Sequence, residues 1–181
     1  MKQIALLKNQ NKSYGGELLK TRAGRSGPRP LDTKNTMHLV LRSSKAKGDW
    51  SFARPENNRE IKRIIDRFSK KYFVQIISVA NVGNHIHLHI RLLKRCTYNP
   101  FIRAITSAIR MAVTKTSRWN KSKEKFWDYR PFTRVVIGFK ALLKLKDYIR
   151  INQLEGFYGR THAELIIKGD PYINKLLAGS G

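Results

Sequence analysis

Apolar and polar residues alternate over Met37-His38-Leu39-Val40-Leu41-Arg42. The alternation predicts a strand with Met37, Leu39 and Leu41 on one face and His38, Val40 and Arg42 on the other. A turn-rich stretch from Ser43 to Pro55 separates it from an amphipathic helix. There Ile61, Ile64, Ile65 and Phe68 follow the i, i+3, i+4, i+7 spacing, with Asn57 or Asn58 as the cap. Arg59, Lys62, Arg63, Arg67, Lys70 and Lys71 take the rest of its circumference. A strand is expected from about Phe73 to Ala80 and another from His85 to Leu92. The Asn81-Val82-Gly83-Asn84 turn between them makes an antiparallel hairpin. Asn99-Pro100 opens a second helix with Phe101, Ile102, Ile105, Ile109, Ala112 and Val113 on its apolar side. Lys125 to Gly138 suggests one or two further strands. Phe139 to Leu154 reads as a last strong helix stopped at Gly156, and a short helix is expected from Asp170 onward.

The order strand, helix, strand, strand, helix, strand, helix matches an α+β, ferredoxin-like split βαβ arrangement. In it an antiparallel sheet carries helices on one face, leaves the other open and is followed by an additional C-terminal helix. Three segments follow: a basic N-terminal arm (1–36), a ferredoxin-like domain (37–156) and a C-terminal extension (157–181). In the arm, Gly15, Gly16, Gly24, Gly27, Pro28 and Pro30 interrupt any helical or strand period. Its alternatives are backbone held close to phosphate or a solvated tail.

Charge narrows the partner. The chain has 181 residues with 37 Lys+Arg against 12 Asp+Glu, a formal net charge of +25, yet 41% of its residues are hydrophobic, enough to fold. Such a charge opposes compaction and is explained by a polyanionic partner, nucleic acid. One cysteine, Cys96, excludes an intrachain disulfide and a cysteine-based zinc cluster. No apolar run approaches the roughly 18 residues of a membrane span, and the apolar stretch at the start is too short for a secretory signal. The expectation is a soluble, cytoplasmic protein without a membrane partner.

Histidine supplies the candidate chemistry. His85, His87 and His89 share one strand face, opposite Ile86, Leu88 and Ile90. Imidazoles at i and i+2 sit close enough to hold one small cation. Without clustered cysteine, zinc fits poorly. Two imidazoles, an amide or carboxylate oxygen and water suit Mg²⁺ or Mn²⁺ acting on phosphate. The alternative is the solvated side of an amphipathic strand. His38 and Arg42, on the same sheet face, could hold phosphate or base, or be solvated.

Asn84-His85-Ile86-His87-Leu88-His89-Ile90 resembles the His-hydrophobe-His strand of the HUH single-tyrosine nucleases. The nearest variants are the REP-associated tyrosine transposases and related transposases of small insertion sequences. Lys146-Asp147-Tyr148-Ile149-Arg150-Ile151-Asn152-Gln153 is similar to that family's Tyr-Ile-x-x-Asn/Gln helix. The basic segment Gly24 to Leu31, followed by His38 to Ser43, also resembles it, so the likeness spans about residues 14 to 156. The turn departs mildly, with Gly83-Asn84 where the family usually has Pro-Asn/Asp. The resemblance implies that His85 and His87 bind a divalent cation beside the scissile phosphate. It also implies that Tyr148 on the last helix is the nucleophile and that an amide side chain completes the metal site. Tyr148 and Asn152 face the same way, one turn apart, whereas Gln153 lies roughly 140° around the helix from Tyr148, so the amide role goes to Asn152. Tyr158 is the second choice of nucleophile.

The implied activity is nicking and rejoining of single-stranded or hairpin DNA through a covalent 5′-phosphotyrosine, by a monomer or homodimer. Arg22, Arg25 and Arg29 of the arm are expected to contact phosphate or base. Two alternatives are a non-catalytic nucleic-acid-binding protein of ferredoxin-like fold and a histidine-based hydrolase without a covalent intermediate. A phenol has a pKa of about 10, so it needs a nearby cation or base to react at neutral pH.

Overall fold

The computed structural model describes residues 30–117, 125–158 and 160–167. Its elements run β1 (Thr36–Arg42), α1 (Pro55–Lys71), β2 (Val74–Asn81), β3 (His85–Leu92), α2 (Tyr98–Thr114), β4 (Phe132–Val136), α3 (Phe139–Tyr158) and α4 (Arg160–Ile167). The four strands form one antiparallel sheet in the order β2-β3-β1-β4, the split βαβ topology expected from the element pattern. Lys125 to Gly138 contributes one strand rather than two.

Register follows the apolar alternation. Met37, Leu39 and Leu41 face Ile90, Leu88 and Ile86, and all six are buried. They pack against Ile61, Ile64 and Ile65 of α1 and Phe101, Ile105, Ile109 and Val113 of α2 in one core. At about 1.5–3 kcal/mol per buried aliphatic side chain, this layer is the main source of stability. α1 begins at Pro55, whose missing N–H costs nothing in the first turn, and not at an asparagine cap. Asn57 instead lies buried inside the helix, where its Nδ2 donates to the carbonyls of Asp49 (2.9 Å) and Ser51 (2.8 Å) and ties the preceding loop to α1.

The second sheet face is not left open, because α3 crosses it. Leu145 and Ile149 of α3 pack on Ala80 and Val136, which lie at the C-terminal ends of β2 and β4. Gly156 does not stop this helix, which continues to Tyr158, so a boundary at residue 156 falls inside α3. A Cβ built on Gly156 would meet the Asn81 carbonyl oxygen at 2.6 Å. Glycine there lets the helix approach the end of β2 rather than ending it. α4, which no periodicity had announced, packs on α3 and buries Ala163. The arm before residue 30 and the helix expected from Asp170 lie outside the described residues.

Candidate functional site

The site forms where α3 meets the histidine face. The β2–β3 turn aims that face. Gly83 takes φ +90°, which side-chain-bearing residues rarely adopt. Its N–H donates to Asn81 Oδ1 (3.1 Å) and its carbonyl accepts from the Phe52 N–H (2.7 Å). Asn81 Nδ2 in turn donates to the Phe52 carbonyl (2.7 Å) and Asn58 Oδ1 (3.0 Å), so the turn is fastened to the loop before α1 and to α1 itself.

His85 and His87 emerge from β3 on the same side, with ring centroids 4.7 Å apart and nearly perpendicular. His85 Nδ1 lies 2.6 Å from Asn84 Oδ1, an acceptor, which places the ring proton on Nδ1. His38 of β1 lies beside them. Its direct strand partner is His89, but its Nε2 is 3.0 Å from Nδ1 of His87 and the two rings stack at 5.3 Å. His87 Nε2 is buried with no hydrogen-bond partner, as are both ring nitrogens of His89 and the hydroxyl of Ser78.

Tyr148 of α3 closes the group. Its ring stands edge-on to His87 (5.2 Å) and to His38 (5.8 Å), and the residue remains 45% exposed. A phenol packed on two imidazoles and still open to solvent can be reached by a large substrate. Asn152, one turn later, is buried, and its Nδ2 donates to the Tyr148 carbonyl (2.6 Å). Oδ1 is then the amide atom left to accept or to coordinate. Gln153 donates instead to the Val79 carbonyl (2.5 Å) on β2. Tyr158, at the end of α3, lies ten residues beyond Tyr148.

Burial sets the charge of the imidazoles. Desolvation, then the neighbouring His89 and Arg134, pushes His38 down to about 4. Desolvation, with His38 and His85 adding, pushes His87 down to about 3. Burial and then Arg42 lower His85, and burial lowers His89. All four are neutral at neutral pH, the state in which imidazole ligates a cation. Among the described residues no group of three or more His, Cys, Asp or Glu is placed to hold a metal ion, so an all-histidine or histidine–carboxylate cage is absent there.

The structure thus brings together His85, His87, His38 and Tyr148, with Asn152 one helical turn away. Arg42 stands across from His85 in the β1–β3 register and is paired with Asp128 at 3.6 Å, so its charge is partly neutralised. Arg22, Arg25 and Arg29 lie outside the described residues. The sequence alone offers His38 as a contact for phosphate or base. Its engagement with His87 depends on a diagonal across two strands that only the strand order reveals. Among the described residues no helix is long and apolar enough to cross a membrane.

Comparison with known proteins bears on the family and the fold. Residues 33–152 match the family model described as transposase IS200 like. No curated protein sequence matches the chain. Among solved structures, a REP-associated tyrosine transposase bound to a REP hairpin is similar at a TM-score of 0.59 and 14% identity, over 75% of this chain and 76% of that one. A Deinococcus radiodurans protein described as a candidate transposase is matched at a TM-score of 0.44 and 15% identity, over 74% of this chain and 98% of that one. The family match takes in all four strands, both core helices and α3 as far as Asn152, and on that match the chain belongs to the IS200-like transposase family.

Proposed function

We propose that this transposase nicks and rejoins single-stranded or hairpin DNA with Tyr148 as nucleophile. The observation that carries the reading is the placement of the exposed Tyr148 ring edge-on against the buried His38–His87 pair. The Tyr148 phenolic oxygen bonds to phosphorus, the bond from phosphorus to the 3′ oxygen of the preceding nucleotide breaks, and that oxygen leaves as a 3′-hydroxyl. The phenol loses one proton and the departing oxygen gains one. The 5′-phosphotyrosine keeps the phosphodiester's free energy, so a second 3′-hydroxyl reverses the step and joins strands without an external energy source.

The residues fit a divalent cation. His87 presents an orphaned, buried Nε2 and His85 a ring whose other nitrogen faces Asn84, while both imidazoles are neutral. His85, His87 and Asn152 would hold Mg²⁺ or Mn²⁺. When bound, such an ion polarises a phosphoryl oxygen and offsets the charge that develops during attack. His38 acts as a positioning residue. By accepting the His87 Nδ1–H it selects the tautomer that leaves Nε2 with a free lone pair. That role occupies Nε2 alone, and contact between His38 and phosphate or base stands beside it as a candidate. Arg22, Arg25 and Arg29 remain candidates for phosphate or base contact. The REP hairpin held by the structural relative is the reason to test hairpin as well as single-stranded substrates.

The experiment is cleavage of labelled single-stranded and hairpin DNA from the flanks of the protein's own gene. Tyr148→Phe is expected to abolish nicking with near-normal DNA binding, and EDTA to abolish it until Mg²⁺ or Mn²⁺ is restored. Unchanged nicking by Tyr148→Phe contradicts the assignment. A non-catalytic binding protein would yield no nicking in either form.

A further inference from the structure

A cleft of about 610 Å³ opens between β4 and the first half of α3, and Tyr148 and His38 form its inner end. Its rim carries Lys140 and Lys144 from α3 and Arg134 from β4, above an apolar floor that includes Phe132 and Val136. Lys140, Lys144 and Tyr148 recur every four residues, so they lie along one stripe of α3, about 6 Å apart along the axis. That spacing is close to the separation of neighbouring phosphates in an extended single strand. Arg134 enters from the opposite wall, because it is the β4 partner of His38 across the β1–β4 register. All three cations are exposed, and among the described residues none of them pairs with a carboxylate. Elsewhere the protein does pair exposed cations, as in Arg63–Glu60 and Lys70–Asp66.

We infer that this cleft is a channel for the single-stranded DNA flanking the scissile phosphate. Lys140 and Lys144 take successive phosphates, Arg134 closes the opposite side and the apolar floor receives a base. The inference rests on the reading of Tyr148 as the nucleophile, since it is Tyr148 that ends the channel. A duplex fits the cleft less well, because a row of cations on one helix beside an apolar floor matches one backbone with its bases turned inward.

The test is equilibrium binding of a fluorescent oligothymidylate in EDTA across a salt series, which reads binding without cleavage. Each phosphate contact to a single strand contributes about 0.7 to the slope of log K against log salt. Lys140→Ala/Lys144→Ala is therefore expected to lower the slope by about 1.4, and Lys140→Arg/Lys144→Arg to retain it. Arg59→Ala/Lys62→Ala removes the same charge from exposed positions of α1 on the other side of the sheet and is expected to leave the slope unchanged. Equal reductions in both alanine pairs, or none in the α3 pair, overturn the channel. Lysine acetylation footprinting of the wild-type protein gives an answer that does not depend on any variant's folding. Lys140 and Lys144 are expected to be protected by the oligonucleotide while Lys62 is not, and equal labelling of all three with and without DNA overturns the proposal. The two readings fail separately. An unchanged slope in a variant that still forms the covalent adduct removes the channel alone, and continued nicking by Tyr148→Phe removes the nucleophile alone.

Discussion

His38 Nε2 lies 3.0 Å from His87 Nδ1, although neither residue is the other's direct partner in the β1–β3 ladder. The contact is diagonal, and it uses the one nitrogen of His87 that is not orphaned. Loss of an outer partner of a metal-binding imidazole commonly costs 10–100-fold in affinity. His38→Phe, which keeps a ring but no acceptor, is accordingly expected to weaken Mn²⁺ binding by about that range in calorimetry. His38→Gln, which keeps an acceptor, should recover part of it. Equal affinity in His38→Phe and wild type would show that His38 does not orient His87.

The same buried pair makes the metal-free protein acid-sensitive. Folded His38 titrates near 4 and His87 near 3, against about 6.5 when unfolded. Above pH 6.5 both states are neutral and these groups contribute nothing. As pH falls below 6.5 the unfolded chain takes up protons that the folded one refuses, so stability declines until the folded values are reached. At pH 5 the loss is about 2 kcal/mol per histidine, an order-of-magnitude figure. Urea midpoints in EDTA at pH 7.5 and pH 5 check this in a range above carboxylate titration. The midpoint should drop in wild type and drop less in His38→Gln/His87→Gln.

Gly156 reverses the usual sign of a helical glycine substitution. Alanine inside a helix ordinarily gains about 1 kcal/mol over glycine. Here its Cβ would collide with the Asn81 carbonyl at 2.6 Å, and backbone cannot rotate aside as a flexible side chain can. Overpacking of this kind costs about 1–3 kcal/mol. Gly156→Ala is expected to lower the urea midpoint and, by lifting α3 from β2, to slow nicking through Tyr148. A more stable Gly156→Ala protein would contradict the close approach.

Much of this was legible in the chain. Alternation through Met37–Arg42, broken only at Val40, and through His85–Leu92 announces both strands and the face each histidine occupies, because a strand has only two faces. What could not be read was where α3 would lie. Its apolar positions Leu145 and Ile149 look like any core stripe, and their target, Ala80 and Val136, sits on the two edge strands that flank the histidine strands, an arrangement set by strand order rather than by local pattern. Gly156 misled for a related reason, since a glycine that admits a neighbouring carbonyl and one that ends a helix look alike in sequence. Asn57 resembled a cap, but Pro55 two residues earlier offered a cheaper start and freed the amide to hold the loop.

In the proposed reaction one phenol becomes covalently joined to DNA. The wild-type protein, incubated with Mg²⁺ and labelled single-stranded DNA from the flanks of its own gene, is to be denatured, digested and mapped by mass spectrometry for a nucleotide-bearing peptide. One adduct is expected, on Tyr148, retained through denaturation and absent in EDTA. Nicked DNA with no adduct, or an adduct on another tyrosine such as Tyr158, would contradict it.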